Sequence, residues 1–189
     1  MNDFVPISTG IFNEKQGCFT YADAINMLDS GKFDNDLKSG CTLVGAISKG
    51  WEHNYFSPTV DQRVSIWRWI VAACFIIEQT QKNGTVEVQN EEGGIDIAAL
   101  YANDTSSITI YPAAERFALA NHVESIAIEK YGREQGLEMA IGMYNGFITT
   151  TPEDGMILSD FGRESLTTLH EGYLKMLQDE GMPLPVILH

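Results

Sequence analysis

Apolar residues run almost unbroken from Val64 to Ile77, interrupted by Ser65 and Arg68. The run lacks the alternation of a half-buried strand and is too long for one, so it predicts a helix over Thr59–Lys82. Thr59 and Gln62 have the spacing of a capping box, in which each side chain accepts from the other residue's backbone N–H. Asn83-Gly84 supplies the stop, Gly84 being suited to a left-handed C-terminal position. A helix apolar on most sides is expected to be buried on several of them. Trp67 and Trp69 are then core bulk, and Arg68 snorkels or pairs with a carboxylate. The segment does not read as a membrane span: the Ile66–Ile77 run is 12 residues long and holds Arg68, where a span needs about 20 apolar residues.

Other patterns are shorter. Thr20 and Asp23 open a helix from Tyr21 to about Leu28, closed by Gly31. Lys32–Gly40 reads as a polar loop, Cys41–Ser48 as a strand, and Lys49–Ser57 as a loop with an aromatic cluster at Trp51, Tyr55 and Phe56. After the long helix, Thr85–Gln89, Ile95–Ala102 and Ser107–Tyr111 alternate apolar and polar positions between turns at Glu91–Gly94 and Asn103–Ser106. These predict an antiparallel meander with one wet face. Further helices are expected over Pro112–Tyr131, Arg133–Tyr144 and Phe161–Glu180, closed by Gly132 and Gly181, with a short strand at Gly146–Thr151 and a loop over Glu153–Asp160. The expected fold is α+β: a single domain over 1–189, with a three-stranded meander packed on the Thr59–Lys82 helix and two further amphipathic helices. Residues 1–19 and 183–189 would be a peripheral arm and tail.

Charge changes this picture. Twenty-six acidic residues face 12 basic ones, a formal net charge of −14. That disfavours direct binding to nucleic acid or anionic membranes and favours basic partners. The acids are also segregated. Between Asn83 and Glu115 lie Glu87, Glu91, Glu92, Asp96, Asp104 and Glu115 without one base; between Glu134 and Gly162 lie Glu134, Glu138, Glu153, Asp154 and Asp160, again without a base. Alternate side chains on one strand face are about 6.6 Å apart, so such acids repel one another and a basic partner would relieve them. Three cysteines, Cys18, Cys41 and Cys74, in no CxxC arrangement, fit reduced thiols. With no signal peptide visible in the first residues, a cytoplasmic setting is expected.

Chemical motifs are absent from the sequence. No histidine pair has HExxH spacing. His122-Val-Glu124 lacks the PCxxC that zinc deaminases require. Asp34-Asn35-Asp36 lacks the glycine and glutamate of a calcium loop. There is no GxGxxG, P-loop or GxSxG, and Asp160-Phe161-Gly162 stands without the other kinase motifs. No catalytic residue, metal or cofactor is therefore predicted. The expected function is an acidic protein-binding or inhibitor module that occupies a basic, nucleic-acid-binding type of surface through Glu87, Glu91, Glu92, Asp96 and Asp104. Immunity proteins and phage-encoded inhibitors of defence nucleases work by the same logic. The alternatives are a small-molecule enzyme or ligand-binding domain, its pocket between meander and helices lined by Tyr101, Arg116, His122 and Glu124, and a subunit of a larger assembly docking through PLPVILH.

Overall fold

The computed structural model describes residues 20–34, 36–82 and 112–181. Helix α1, Tyr21–Asp29, starts at a complete capping box: Thr20 Oγ1 accepts from the Asp23 N–H and the Asp23 carboxylate from the Thr20 N–H, each at 3.1 Å. Tyr21, Ala24, Ile25 and Leu28, at helical spacing, form its buried face. Helix α3, Val60–Lys82, begins as the sequence predicts. The Thr59 N–H donates to Gln62 Oε1 at 2.9 Å and the Gln62 N–H to Thr59 Oγ1 at 3.2 Å. Its residues Val64, Ile66, Phe75 and Ile76 are buried, as is the run Trp69–Ala73.

Between them the sequence expectation fails. Cys41–Ser48 is not a strand, and the flanking loops are shorter than expected: Leu37–Glu52 is one helix, α2. Asp36 caps it, accepting from the Ser39 N–H at 3.0 Å. Leu37, Gly40, Leu43, Val44 and Ile47 then recur at helical spacing and are buried. Gly40 sits where any Cβ would overlap the Trp69 indole, so its missing side chain sets how closely α2 approaches α3.

After residue 111 come α4, Pro112–Leu119, a π turn over Ala120–Glu124, and α5, Ser125–Tyr131, ended by Gly132 at φ 80°. The backbone N–H and the hydroxyl of Ser125 both bond the Ala120 carbonyl, the hydroxyl at 3.0 Å. That i→i−5 bond admits one extra residue per turn and rotates the helix face. Along this stretch Phe117 and Tyr131 are exposed, while Leu119, Val123 and Ala127 are buried beside Glu115, Arg116 and Glu124. Helix α6, Arg133–Phe147, packs its Gly136 against the Ile128 backbone, where a Cβ would come within 2.6 Å of the Ile128 Cα. Strands β1, Ile148–Thr151, and β2, Gly155–Leu158, form an antiparallel hairpin pairing Ile148 with Leu158 and Thr151 with Gly155. Helix α7, Asp160–Asp179, is capped by Ser159, whose hydroxyl accepts from the Gly162 N–H at 3.0 Å.

The architecture is therefore mainly helical, which corrects the α+β meander. Among the described residues the sheet is a two-stranded hairpin: β1 falls within the short strand expected at Gly146–Thr151, and β2 within the segment expected to be a loop. The three segments read as the meander, within 85–111, lie outside the described residues, as do the 1–19 arm and the PLPVILH tail. What packs on α3 is α1, α2, α4, α6 and β2, around one continuous apolar cluster. Among the described residues no helix is long and apolar enough to cross a membrane.

Candidate functional site

Polar chemistry collects in two places. The first is a chain of ion pairs inside the helical assembly. Arg68 Nη1 donates to both carboxylate oxygens of Glu124, at 2.9 and 2.8 Å, and Nη2 to Asp29 at 3.2 Å. The Tyr144 hydroxyl donates to Glu124 at 2.8 Å. Burial opposes the charge on Arg68, yet Glu124 and Asp29 outweigh it and raise its pKa further. Burial, with Glu124 beside it, pushes the Tyr144 phenol well above its ordinary value. Glu124 lies on the π turn, and the rotated face is what brings it to Arg68. Nearby on α4, Arg116 pairs with Asp34 at 2.6 Å, and Glu115 lies 2.5 Å from His170 Nδ1. These groups hold each other, so their arrangement locks helices together and offers little to a ligand.

Of the pocket residues expected from sequence, Arg116 and Glu124 belong to these pairs, His122 sits half-buried on the π turn, and Tyr101 lies outside the described residues. Glu87, Glu91, Glu92, Asp96 and Asp104 lie outside them as well. In the second acidic window Glu138 has a tertiary partner the sequence does not reveal, Arg63, and Asp160 pairs locally with Arg163 three residues on. Glu134, Glu153 and Asp154 are exposed.

The second place is a groove of about 710 Å³ that none of the three described candidates, Arg116, His122 and Glu124, lines. Helix α2 contributes Cys41, Val44, Gly45 and Ser48, one face at i, i+3, i+4, i+7. Trp69, Ile70, Ala73, Cys74, Ile77 and Glu78 come from α3, again one face. The hairpin closes one end with Asp154, Met156, Ile157 and Leu158, and Arg163 enters from the first turn of α7. Arg163 ties three elements together: Nε donates to Glu78 at 2.5 Å, Nη1 to Asp160 at 2.7 Å and Nη2 to the Leu158 carbonyl at 3.3 Å. The end is thus acidic: Glu78 and Asp154 line it with Arg163, and Asp160 pairs with Arg163 from solvent. Elsewhere the walls are apolar. The Trp69 indole N–H has no hydrogen-bond partner among the described residues.

Two thiols line the groove, and neither is activated. Burial raises the Cys41 pKa. Burial, then Cys41 and Glu78, push Cys74 up to about 12. A catalytic cysteine is driven the other way, toward thiolate, by nearby cations or a helix N-terminus. Here the Cys74 thiol faces the Met156 carbonyl at 3.7 Å, and both sulfurs act as apolar wall. Among the described residues no three His, Cys, Asp or Glu side chains are placed to hold a metal ion. No protein family, no characterised protein and no solved structure matches this chain, so the reading of function rests on the chain's own chemistry.

Proposed function

We propose that this chain is an acidic protein-binding module that occupies a basic surface of a partner, of the kind that otherwise holds nucleic acid. The observation that carries the reading is the use of arginine. All five, Arg63, Arg68, Arg116, Arg133 and Arg163, are ion-paired to the chain's own carboxylates. Arginine is the side chain best suited to bind phosphate or carboxylate ligands through paired hydrogen bonds, and here it is committed internally. The excess of acid is left outward. On α7, Asp160, Glu164 and Glu171 are exposed on one stripe at i, i+4 and i+11, and Glu87, Glu91, Glu92, Asp96 and Asp104 add five charges in a stretch without a base. A field of one sign accelerates encounter with an oppositely charged surface. An inhibitor or immunity role follows if the partner's basic surface is its active one.

The test is capture on immobilised protein at about 0.05 M and about 1 M salt, where the Debye length falls to about 3 Å. Two charge-reversal variants run beside the wild type: Glu87→Lys/Glu92→Lys/Asp96→Lys and Glu164→Lys/Glu171→Lys. The expected result is a basic protein held by the wild type at low salt, released at high salt, and weakened by at least one variant. No retained protein at either salt, or retention that neither variant changes, removes the proposal.

A further inference from the structure

We infer that the groove between α2 and α3 anchors the basic partner, receiving an apolar side chain carried beside a lysine or arginine; the inference rests on the acidic-binder reading and deepens it. Two observations fix the chemistry of the occupant. Its body must be apolar, because Val44, Ile70, Ala73 and Ile77 face it and the two thiols are protonated. Its volume, about 710 Å³, is of the size that takes a buried anchor or a small ligand. Its head must be cationic. At the hairpin end Glu78 and Asp154 line the groove with Arg163, whose guanidinium already donates to Glu78, Asp160 and the Leu158 carbonyl. An anionic head would meet Asp154 and Glu78 beside a guanidinium already engaged, whereas an ammonium or guanidinium would find two carboxylates on the groove wall. Gly45 completes the case. It is helical, exposed and lines the groove, and a Cβ there meets nothing within 4 Å among the described residues, so the open volume reaches the α2 backbone.

Octylamine and octanoate serve as probes of equal apolar length and opposite charge. Binding is measured by calorimetry and located by protection of Cys41 from iodoacetamide, read by peptide mass spectrometry. Saturable octylamine binding that slows Cys41 alkylation is expected, with octanoate needing about tenfold more for the same effect, a change of one decade in Kd. Gly45→Leu, whose Cβ meets nothing within 4 Å among the described residues and whose side chain would project into the groove, abolishes the binding while thermal melts show the fold intact. Asp154→Asn narrows the preference for octylamine. Equal protection by both probes, no protection by either, or unchanged octylamine binding in Gly45→Leu overturns the inference. Carrying Gly45→Leu through the capture experiment separates the two proposals. Capture that survives Gly45→Leu but fails on charge reversal overturns the groove and leaves the acidic binder standing; absence of capture by the wild type removes the binder itself.

Discussion

Arg68 and Arg163 are both arginines on helices facing carboxylates, yet they sit in opposite surroundings. Arg68 is enclosed: Glu124, Asp29 and Ser65 take its donors, and Tyr144 completes Glu124 from the far side. Arg163 keeps a third of its side chain exposed, and one of its partners, Asp160, lies wholly in solvent. An ion pair out of water is stable only while every member is present, because removing one strands the others. A half-solvated pair can lose a member to water at little cost. The enclosed network is therefore structural, and the open one, beside a groove with room in it, is where binding can be added without unfolding the chain. The largest test of the contrast is Glu124→Ala. It leaves Arg68 and the Tyr144 hydroxyl facing each other in the interior and should destabilise by about 3–5 kcal/mol. For a chain of this size that is roughly 6–20 °C in Tm. A loss below about 1 kcal/mol in urea titration would show that water reaches the network.

Tyr144→Phe is the next step down and carries its own pH signature. It deletes one hydrogen bond to a charged group, about 1.5–3 kcal/mol at neutral pH. The Tyr144 phenol is raised above its ordinary value of 10.0, so the folded state keeps a proton that the unfolded chain loses. The stabilisation is whole below about pH 10 and fades as pH climbs past it, because deprotonation then favours the unfolded chain. Urea midpoints measured from pH 8 to 11 should fall with pH in the wild type and fall less steeply in Tyr144→Phe. Parallel slopes would show that another group, such as Tyr21, whose phenol is also raised by burial, governs alkaline unfolding.

The sequence made the helical framework legible wherever local chemistry agreed with burial. Thr20/Asp23 and Thr59/Gln62 marked two helix starts that are both found, and Gly132 marked a helix end. Taken alone, the eight residues Cys41–Ser48 resemble a strand, although they lie within helix α2. Over the longer window Leu37, Gly40, Leu43, Ile47 and Gly50 keep helical spacing, and Asp36 stands ready as a cap. A strand there hides the groove, since Cys41, Gly45 and Ser48 share a face only if the segment is helical. The ion pairs were invisible for a different reason. Arg63 meets Glu138 and Arg68 meets Glu124 across long stretches of chain, and nothing in local composition ranks one carboxylate above another. The π turn, which turns Glu124 inward, likewise has no local sequence signature in Ala120–Glu124.

Two glycines on α2 bring the contrast down to a single methyl group. Gly40 faces the core, where a Cβ would overlap the Trp69 ring and approach the Phe33 Cβ to 3.1 Å. Gly40→Ala should push α2 from α3 and destabilise by about 1–3 kcal/mol, the usual range for overpacking. Gly45 faces the groove, where a Cβ meets nothing within 4 Å among the described residues. There Gly45→Ala only restricts the unfolded backbone and should stabilise by about 0.5–1 kcal/mol.

The smallest expected effect sits at the acidic end of the groove. A double-mutant cycle on Arg163 and Glu78, using Arg163→Met and Glu78→Gln, should give a coupling energy of about 0.5–1 kcal/mol. The cycle on Arg68 and Glu124 should give several times that. Both are read from urea unfolding at low salt and at about 1 M salt. Salt should erase the first coupling and leave most of the second, because screening acts on charges that water can reach. If the Arg163 coupling proved as large and as salt-resistant as that of Arg68, the hairpin end of the groove would be a rigid structural clamp. Its carboxylates would then be held too tightly by Arg163 to receive a partner's cation, and the division between a closed core and an open binding face would fail.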